Sequence, residues 1–213
     1  MSLPSTTLAA DTLELITGAL ELHLRNHSIR GFLFGRALAA ARGLRPGVDY
    51  DEENMFLICA LHDIGLSDSA TGPQRFEVQG ADYAAQYLES HGITDERVDI
   101  IWDAIAAHTT GISDSPVYQR RRPAEIWISV AGIGLDIGGE PDDLPPGFAD
   151  AVHATYPRLG GVRALTAAIE RQVLADPHKA PPGTLSGEIL RLTRPDLVPF
   201  TWNTVLENNS WGD

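Results

Sequence analysis

The chain has 213 residues, of which 43% are hydrophobic, and a formal net charge of −13 at pH 7. A chain of this length can bury a core without a disulfide or a structural metal, and its single cysteine, Cys59, excludes an internal disulfide. The negative charge and the lack of a Lys/Arg stripe argue against nucleic-acid binding. No segment resembles a signal peptide or reaches the ~20 apolar residues of a membrane span, so we expect a cytoplasmic protein without a membrane partner.

Apolar residues recur at helical spacing along most of the chain, and no run alternates strictly as a strand would. We therefore expect an all-α fold, a single-domain helical bundle over residues 1–213. The basic run Arg120–Arg122 indicates a solvated loop, and the stretch Gly138–Pro146 indicates a surface loop rather than a domain boundary. Besides a helix that begins at Asp51, helices are predicted at about 7–24, 28–41, 76–91, 94–108, 124–137, 147–155, 162–175 and 184–193.

The helix that begins at Asp51 has unusual features at both ends. Asp51 is a good N-cap, followed by acidic residues that suit the helix dipole. The segment Met55–Leu61 is apolar on every side, which is typical of a helix in the middle of a bundle. It closes at His62-Asp63-Ile64-Gly65, so two chemically capable residues follow the most buried helix.

An isolated His-Asp pair is usually a histidine favoured by the helix dipole beside a solvated aspartate. Here an ionised Asp63 would be expensive to bury without a compensating group, and a divalent cation is such a group. Asp136 lies in another apolar predicted helix and calls for a buried partner in the same way. Histidine and aspartate together suit a divalent transition metal such as Zn, Fe, Mn or Ni.

Four segments carry a family resemblance, in this order along the chain: Asn26–Gly35, Cys59–Gly65, Arg75–Asp82 and Gly134–Gly138. They are similar to segments of the HD superfamily of metal-dependent hydrolases, in its cyanamide-hydratase-like branch. The resemblance covers roughly residues 20–160, with C-terminal helices at 161–213 expected to pack on this core.

The resemblance implies a bundle of the HD-domain type and four metal ligands, namely His27, His62, Asp63 and Asp136.

Four further residues are candidates for a catalytic role. The resemblance implies that His108 faces the substrate pocket. His91 either binds a second ion, as in HD proteins with two metals, or only ends a helix. Glu77 could orient a ligand imidazole and Arg30 could neutralise a substrate anion, although a surface ion pair explains either residue equally well.

Two histidines and two aspartates leave coordination positions open for water, which a metal converts to a hydroxide nucleophile near neutral pH. We therefore expect an enzyme that hydrates or hydrolyses a small molecule, cyanamide-like or nitrile-like. The alternative is a phosphohydrolase acting on a nucleotide or another phosphomonoester. The nucleotidase branch of the superfamily has a glutamate three residues after the doublet's aspartate, where this chain has Leu66.

A third hypothesis is a non-catalytic relative that only binds a ligand. The expected partner is a small-molecule substrate, and a homo-oligomer is left open. The predicted helix at 162–175 and the tail from Trp202 to Trp211 could dock a second copy, or they could complete the core.

Overall fold

The computed structural model describes residues 2–139 and 144–211, and this part of the chain contains helices and no strand. The all-α prediction is therefore confirmed. None of the helices in this part of the chain is both long and apolar enough to cross a bilayer. The α-helices are α1 (Thr7–Ala19), α2 (Leu22–Ala41), α3 (Glu52–Leu61), α4 (Phe76–Ser90), α5 (Glu96–Ala107), α6 (Pro116–Arg121), α7 (Ala124–Gly138), α8 (Phe148–Thr155), α9 (Gly161–Ala175), α10 (Leu185–Thr193) and α11 (Trp202–Glu207).

Helix α3 lies at the centre of the fold, as its apolar sequence predicts. Every residue from Asn54 to Leu61 is buried. Asp51 caps the helix, because its side chain accepts a hydrogen bond from the backbone N–H of Asn54 at 2.9 Å. The helix therefore carries the residues that follow Leu61 directly into the interior.

Helices α2 and α7 pack against each other so closely that only glycine fits at their contact. A Cβ atom on Gly132 of α7 would lie 2.2 Å from the carbonyl oxygen of Gly31 and 2.5 Å from the backbone nitrogen of Gly35, both on α2. This approach brings the polar side chains of the two helices within hydrogen-bonding distance.

Helices α9 and α10 join the same core as the helices before them. Leu165, Ile169 and Val173 of α9, with Leu190 of α10, belong to one buried cluster with the side chains of α2, α3 and α7. The side-chain amide of Gln172 donates to the carbonyl of Gly65 at 2.7 Å. This bond fastens α9 beside the turn that follows His62-Asp63.

The break between the first two helices differs from the prediction. Helix α1 ends at Ala19 and α2 begins at Leu22, with Leu20 in an extended conformation between them. His27 is therefore inside α2 rather than at a helix end. The glycine near this break, Gly18, lies inside the last turn of α1, and no Pro is near it. Apolar periodicity therefore predicts a helix that continues to residue 24.

Two short helices were also not predicted. The expected loop at Arg120–Arg122 is wrong in part, because Arg120 and Arg121 end α6, although all three side chains are exposed as expected. Helix α11 follows Thr201, whose side chain caps it. Of the predicted surface loop Gly138–Pro146, residues 140–143 lie outside the described residues.

Candidate metal centre

His62 and Asp63 follow α3 directly and are almost completely buried, at 1% and 2% exposed. The Nδ1 of His62 is 2.8 Å from the carbonyl oxygen of Cys59, and since a carbonyl only accepts, Nδ1 is the donor. In its neutral form, which binds metals, the ring then presents a free lone pair at Nε2. This atom is 3.2 Å from Oδ2 of Asp63, so both groups are directed toward one position.

His27 of α2 completes a cluster with these two residues. One ligand atom from each of His27, His62 and Asp63 lies within 4.8 Å of the other two. The two imidazole rings meet edge to face, with their centroids 5.1 Å apart. Helix α2 and the end of α3, the next helix along the chain, thus bring two nitrogen ligands and one oxygen ligand to one buried point.

The cluster contains buried polar atoms without partners. Nε2 of His27, Nε2 of His62 and Oδ2 of Asp63 are inaccessible to solvent and form no hydrogen bond. Such atoms are rare in folded proteins, and each costs about 1–3 kcal/mol. Three of them at one point, with the donor types that first-row divalent cations prefer, fit a bound metal ion.

Charge in this cluster favours an ionised Asp63. Burial alone would raise the pKa of this carboxyl, but the adjacent His62 ring, together with His27 and His108, holds the pKa below its ordinary range. The interaction between His62 and Asp63 shifts the pKa of His62 in the opposite direction. Burial would lower the pKa of the imidazole, but the Asp63 carboxylate raises it overall. Asp63 therefore supplies a negative charge that a cation can neutralise.

Asp136 of α7 is hydrogen-bonded to Nδ1 of His27. Its Oδ2 is 2.7 Å from Nδ1 of His27, the ring nitrogen opposite the unpartnered Nε2. Asp136 therefore fixes the His27 ring with Nδ1 as donor, as carboxylates beside metal-binding histidines commonly do. Its assignment as a fourth ligand stays a prediction, since both of its oxygens are hydrogen-bonded to protein side chains.

A cavity of about 430 Å³ adjoins the cluster. His108, the residue after α5, lines it, with its ring centroid 5.0 Å from that of His62. Nδ1 of His108 donates to the carbonyl of Ile105 at 2.7 Å, which leaves Nε2 as the acceptor. Burial, with a contribution from His62, lowers the pKa of His108 to about 4. His108 is therefore a neutral imidazole at neutral pH.

A sequence model of the HD domain matches residues 24–136, more than half of the chain and the segment that holds this cluster. The chain belongs to the HD-domain family. Proteins of this family are typically metal-dependent hydrolases, and they bind divalent metals. The comparison with curated proteins found no match to this chain.

Arg30, which the sequence suggested as a group to neutralise a substrate anion, is bonded within the protein instead. It is 1% exposed. Its Nε and Nη2 donate to the two oxygens of Asp136, and its Nη1 donates to the carbonyls of Tyr156 and Pro157 at 3.1 Å. Because every nitrogen is already bonded within the protein, Arg30 does not face a substrate anion. Its role is to hold Asp136.

Glu77 is also buried, but within the described part of the chain it is not hydrogen-bonded to a ligand imidazole. Its Oε1 accepts a hydrogen bond from the Thr109 hydroxyl at 2.7 Å and lies 3.4 Å from Nη1 of Arg75. Thr109 lines the cavity next to His108. Glu77 therefore positions the segment that follows α5, while Asp136 orients the His27 imidazole.

His91 lies outside the cluster and the cavity. It ends α4, where its Nδ1 donates to the carbonyl of Tyr87 at 2.8 Å and its Nε2 lies 3.8 Å from Asp11. This placement matches the helix-ending alternative and gives a catalytic role no support.

Cys59 is buried and free, as its apolar surroundings predict.

Two residues near the cluster were not singled out from the sequence. Arg158 donates to the backbone carbonyl of Asp136 at 2.6 Å, and His153 lies with Nε2 3.6 Å from Oδ1 of Asp136. Both follow the matched segment, on α8 or just after it. No local pattern marks them, because their contacts with Asp136 arise only when the helices pack.

Proposed function

We propose that this HD domain is a metal-dependent hydrolase or hydro-lyase that adds water to a small uncharged molecule, cyanamide-like or nitrile-like. The observation that carries the proposal is the lining of the cavity. Within the described part of the chain, none of the residues that line it is lysine or arginine. A phosphomonoester carries close to two negative charges at neutral pH and is normally held by such cations.

The arginine that is bonded to Asp136 supports the same distinction. This arginine is Arg30, in the segment around His27 that resembles the cyanamide-hydratase-like branch. Its Nε and Nη2 are bonded to Asp136, and its Nη1 is bonded to the carbonyls of Tyr156 and Pro157. An acidic residue, Asp114, lies instead on the cavity wall. An anionic substrate would therefore meet Asp114 in addition to Asp63, and no compensating Lys or Arg on the cavity wall.

When bound at His27, His62 and Asp63, a divalent ion supplies Lewis acidity and brings the pKa of a water molecule toward neutrality. The remaining chemistry belongs to the side chains of the cavity. The unprotonated Nε2 of His108 can accept a proton from water or hold an N–H of the substrate. The hydroxyl group of Ser113, another residue of the cavity wall, is available as a further hydrogen-bonding group.

The test is an assay of the purified protein, stripped of metal and reloaded separately with Zn, Fe, Mn and Ni. Cyanamide, two small nitriles and a panel of nucleoside monophosphates serve as substrates, and urea formation reports the hydration of cyanamide. We expect turnover of the uncharged compounds in at least one metal form. Turnover of the phosphoesters alone would overturn the proposal, and the Asp63→Asn variant controls for contaminating activity.

A further inference from the structure

The cavity is larger than the proposed reaction requires. Its volume is about 430 Å³. A molecule of three heavy atoms such as cyanamide needs on the order of 100 Å³, if each atom takes the ~30 Å³ of a liquid water. Most of the cavity would then lie beyond the reacting group.

Two apolar walls line much of this additional space. Helix α7 contributes Val130, Ile133 and Ile137, whose spacing of three and four residues places them on one face. Helix α9 contributes Leu165 and Ile169, which are four residues apart and therefore also share a face. Such walls favour an apolar group and offer nothing to compensate a charge.

One of these walls comes from outside the matched family segment. The HD domain match ends at residue 136, whereas α9 begins at Gly161 and α10 at Leu185. Leu185 is half-buried and lines the cavity beside the α9 residues. The hydrogen bond from Gln172 to the Gly65 carbonyl holds α9 next to the candidate metal centre. The part of the cavity beyond the cluster is therefore shaped by this chain's own C-terminal helices.

We infer that the substrate carries an uncharged apolar body, alkyl or aromatic, attached to its reacting nitrile or amide group, and that α9 and α10 select it. The reacting group lies at His27, His62 and Asp63, and the apolar body lies between α7 and α9. The identity of the reacting group rests on the proposed function, whereas the apolar body rests on the cavity walls alone.

The test is the binding of straight-chain primary amides from butanamide to octanamide, measured by ligand-observed NMR with metal-loaded and metal-free protein. Each added methylene should tighten binding about fourfold until the cavity is filled, as expected for the burial of one CH₂ group. Carboxylates of the same chain length should bind at least tenfold more weakly to the metal-free protein. Affinity that is independent of chain length would overturn the inference.

A matched pair of variants on α10 locates the effect. Leu185→Asn places a polar group on the cavity wall, and we expect it to weaken octanamide at least tenfold and butanamide less than twofold. Leu192→Asn makes the same change on the same helix at a position that is 66% exposed, and it should alter neither affinity. Equal effects of the two variants would contradict the assignment.

A second variant covers the case in which Leu185→Asn does not fold, as judged by its thermal unfolding. Leu185→Phe narrows the cavity with an apolar side chain, so it should weaken the longest amides and leave butanamide unchanged. If it leaves the longest amides unchanged as well, Leu185 does not bound the substrate site and the inference is wrong.

The binding series separates this inference from the proposed function, because it requires no turnover. Chain-length-dependent binding without turnover of any nitrile or amide would reject the proposed function and support the apolar site. Turnover of cyanamide with no preference for longer chains, in binding or in rate, would support the proposed function and reject the apolar site.

Discussion

Arg30 and Asp136 form a buried, two-pronged ion pair, with Nε to Oδ1 and Nη2 to Oδ2 both at 2.7 Å. Burial opposes the charge on Asp136, but the hydrogen bonds from His27 and Arg30 outweigh it and hold the pKa of this carboxyl below its ordinary range. The carboxylate is therefore ionised and fixed, and it fixes His27 in turn. One arginine thus determines how a histidine of the candidate metal centre is oriented.

Replacing Arg30 with methionine should destabilise the fold strongly, because it leaves the Asp136 carboxylate buried without its cation. We expect a loss of about 3–5 kcal/mol in the free energy of unfolding, measured by urea titration. Arg30→Lys keeps the charge but not the planar fork, so its loss should be smaller and still clear. The control is Arg45→Met, whose side chain is 69% exposed, and it should leave the midpoint unchanged. Equal midpoints for Arg30→Met and the control would show that the pair contributes nothing.

Metal binding can be tested by thermal unfolding with and without added zinc. At about 100 times its dissociation constant, a ligand stabilises the folded state by about 2.7 kcal/mol, which corresponds to a rise of roughly 5–10 °C for a chain of this size. We expect this rise for the native protein, its reversal by EDTA, and its loss in Asp63→Asn. Asp68→Asn, an exposed aspartate shortly after the cluster, should keep the full rise. A rise retained in Asp63→Asn would place the metal elsewhere.

The contact between α2 and α7 yields a prediction about stability alone. Gly132→Ala puts a Cβ atom 2.2 Å from the Gly31 carbonyl, so the helices must separate, at a cost of about 1–3 kcal/mol or more. Gly134→Ala, on the same helix, meets nothing within 4 Å and should stabilise the protein by up to ~1 kcal/mol through helix propensity. Chemical denaturation of both variants provides the comparison. A similar effect of the two substitutions would mean that the close contact is absent in solution.

The central pair of the site was predictable from sequence for a local reason. An apolar helix that ends in His62-Asp63 must compensate a buried charge, and that conclusion needs only the residues of α3 and the cost of desolvation. The same reasoning identified Asp136 as a residue that needs a buried partner. It could not name Arg30 as that partner, because the two are 106 positions apart and meet only through the packing of α2 on α7.

Helix boundaries likewise differ in whether a local residue predicts them. The side chain of Asp51 caps the start of α3, and the predicted start of this helix is correct. The break at Leu20 has no such residue, and α2 begins without a side-chain cap. Helix α6 also has local signals, a Ser115 cap followed by Pro116 in the first turn. The basic run at its end favours a loop and so conflicts with them.

Cys59 should be unreactive in the folded protein. It is 0% exposed, and burial raises the pKa of its thiol to about 12. At pH 8 the thiolate, which is the reactive form, is then on the order of 1,000-fold scarcer than for an ordinary cysteine. A colorimetric disulfide reagent should therefore detect one thiol in guanidinium chloride and almost none in native buffer. Rapid labelling of the native protein would mean that α3 opens readily.

His108 and His91 form a matched pair for testing catalysis, because each ends a helix with Nδ1 bonded to a backbone carbonyl and only His108 lines the cavity. His108→Gln removes the free Nε2 acceptor, so kcat should fall by about 10²–10⁴, the usual contribution of a general acid or base. Its metal content should not change, since the ion is expected at His27, His62 and Asp63. His91→Gln should change neither quantity. If His108→Gln loses its metal together with its activity, His108 is a ligand, and the proton-transfer role proposed for it is wrong.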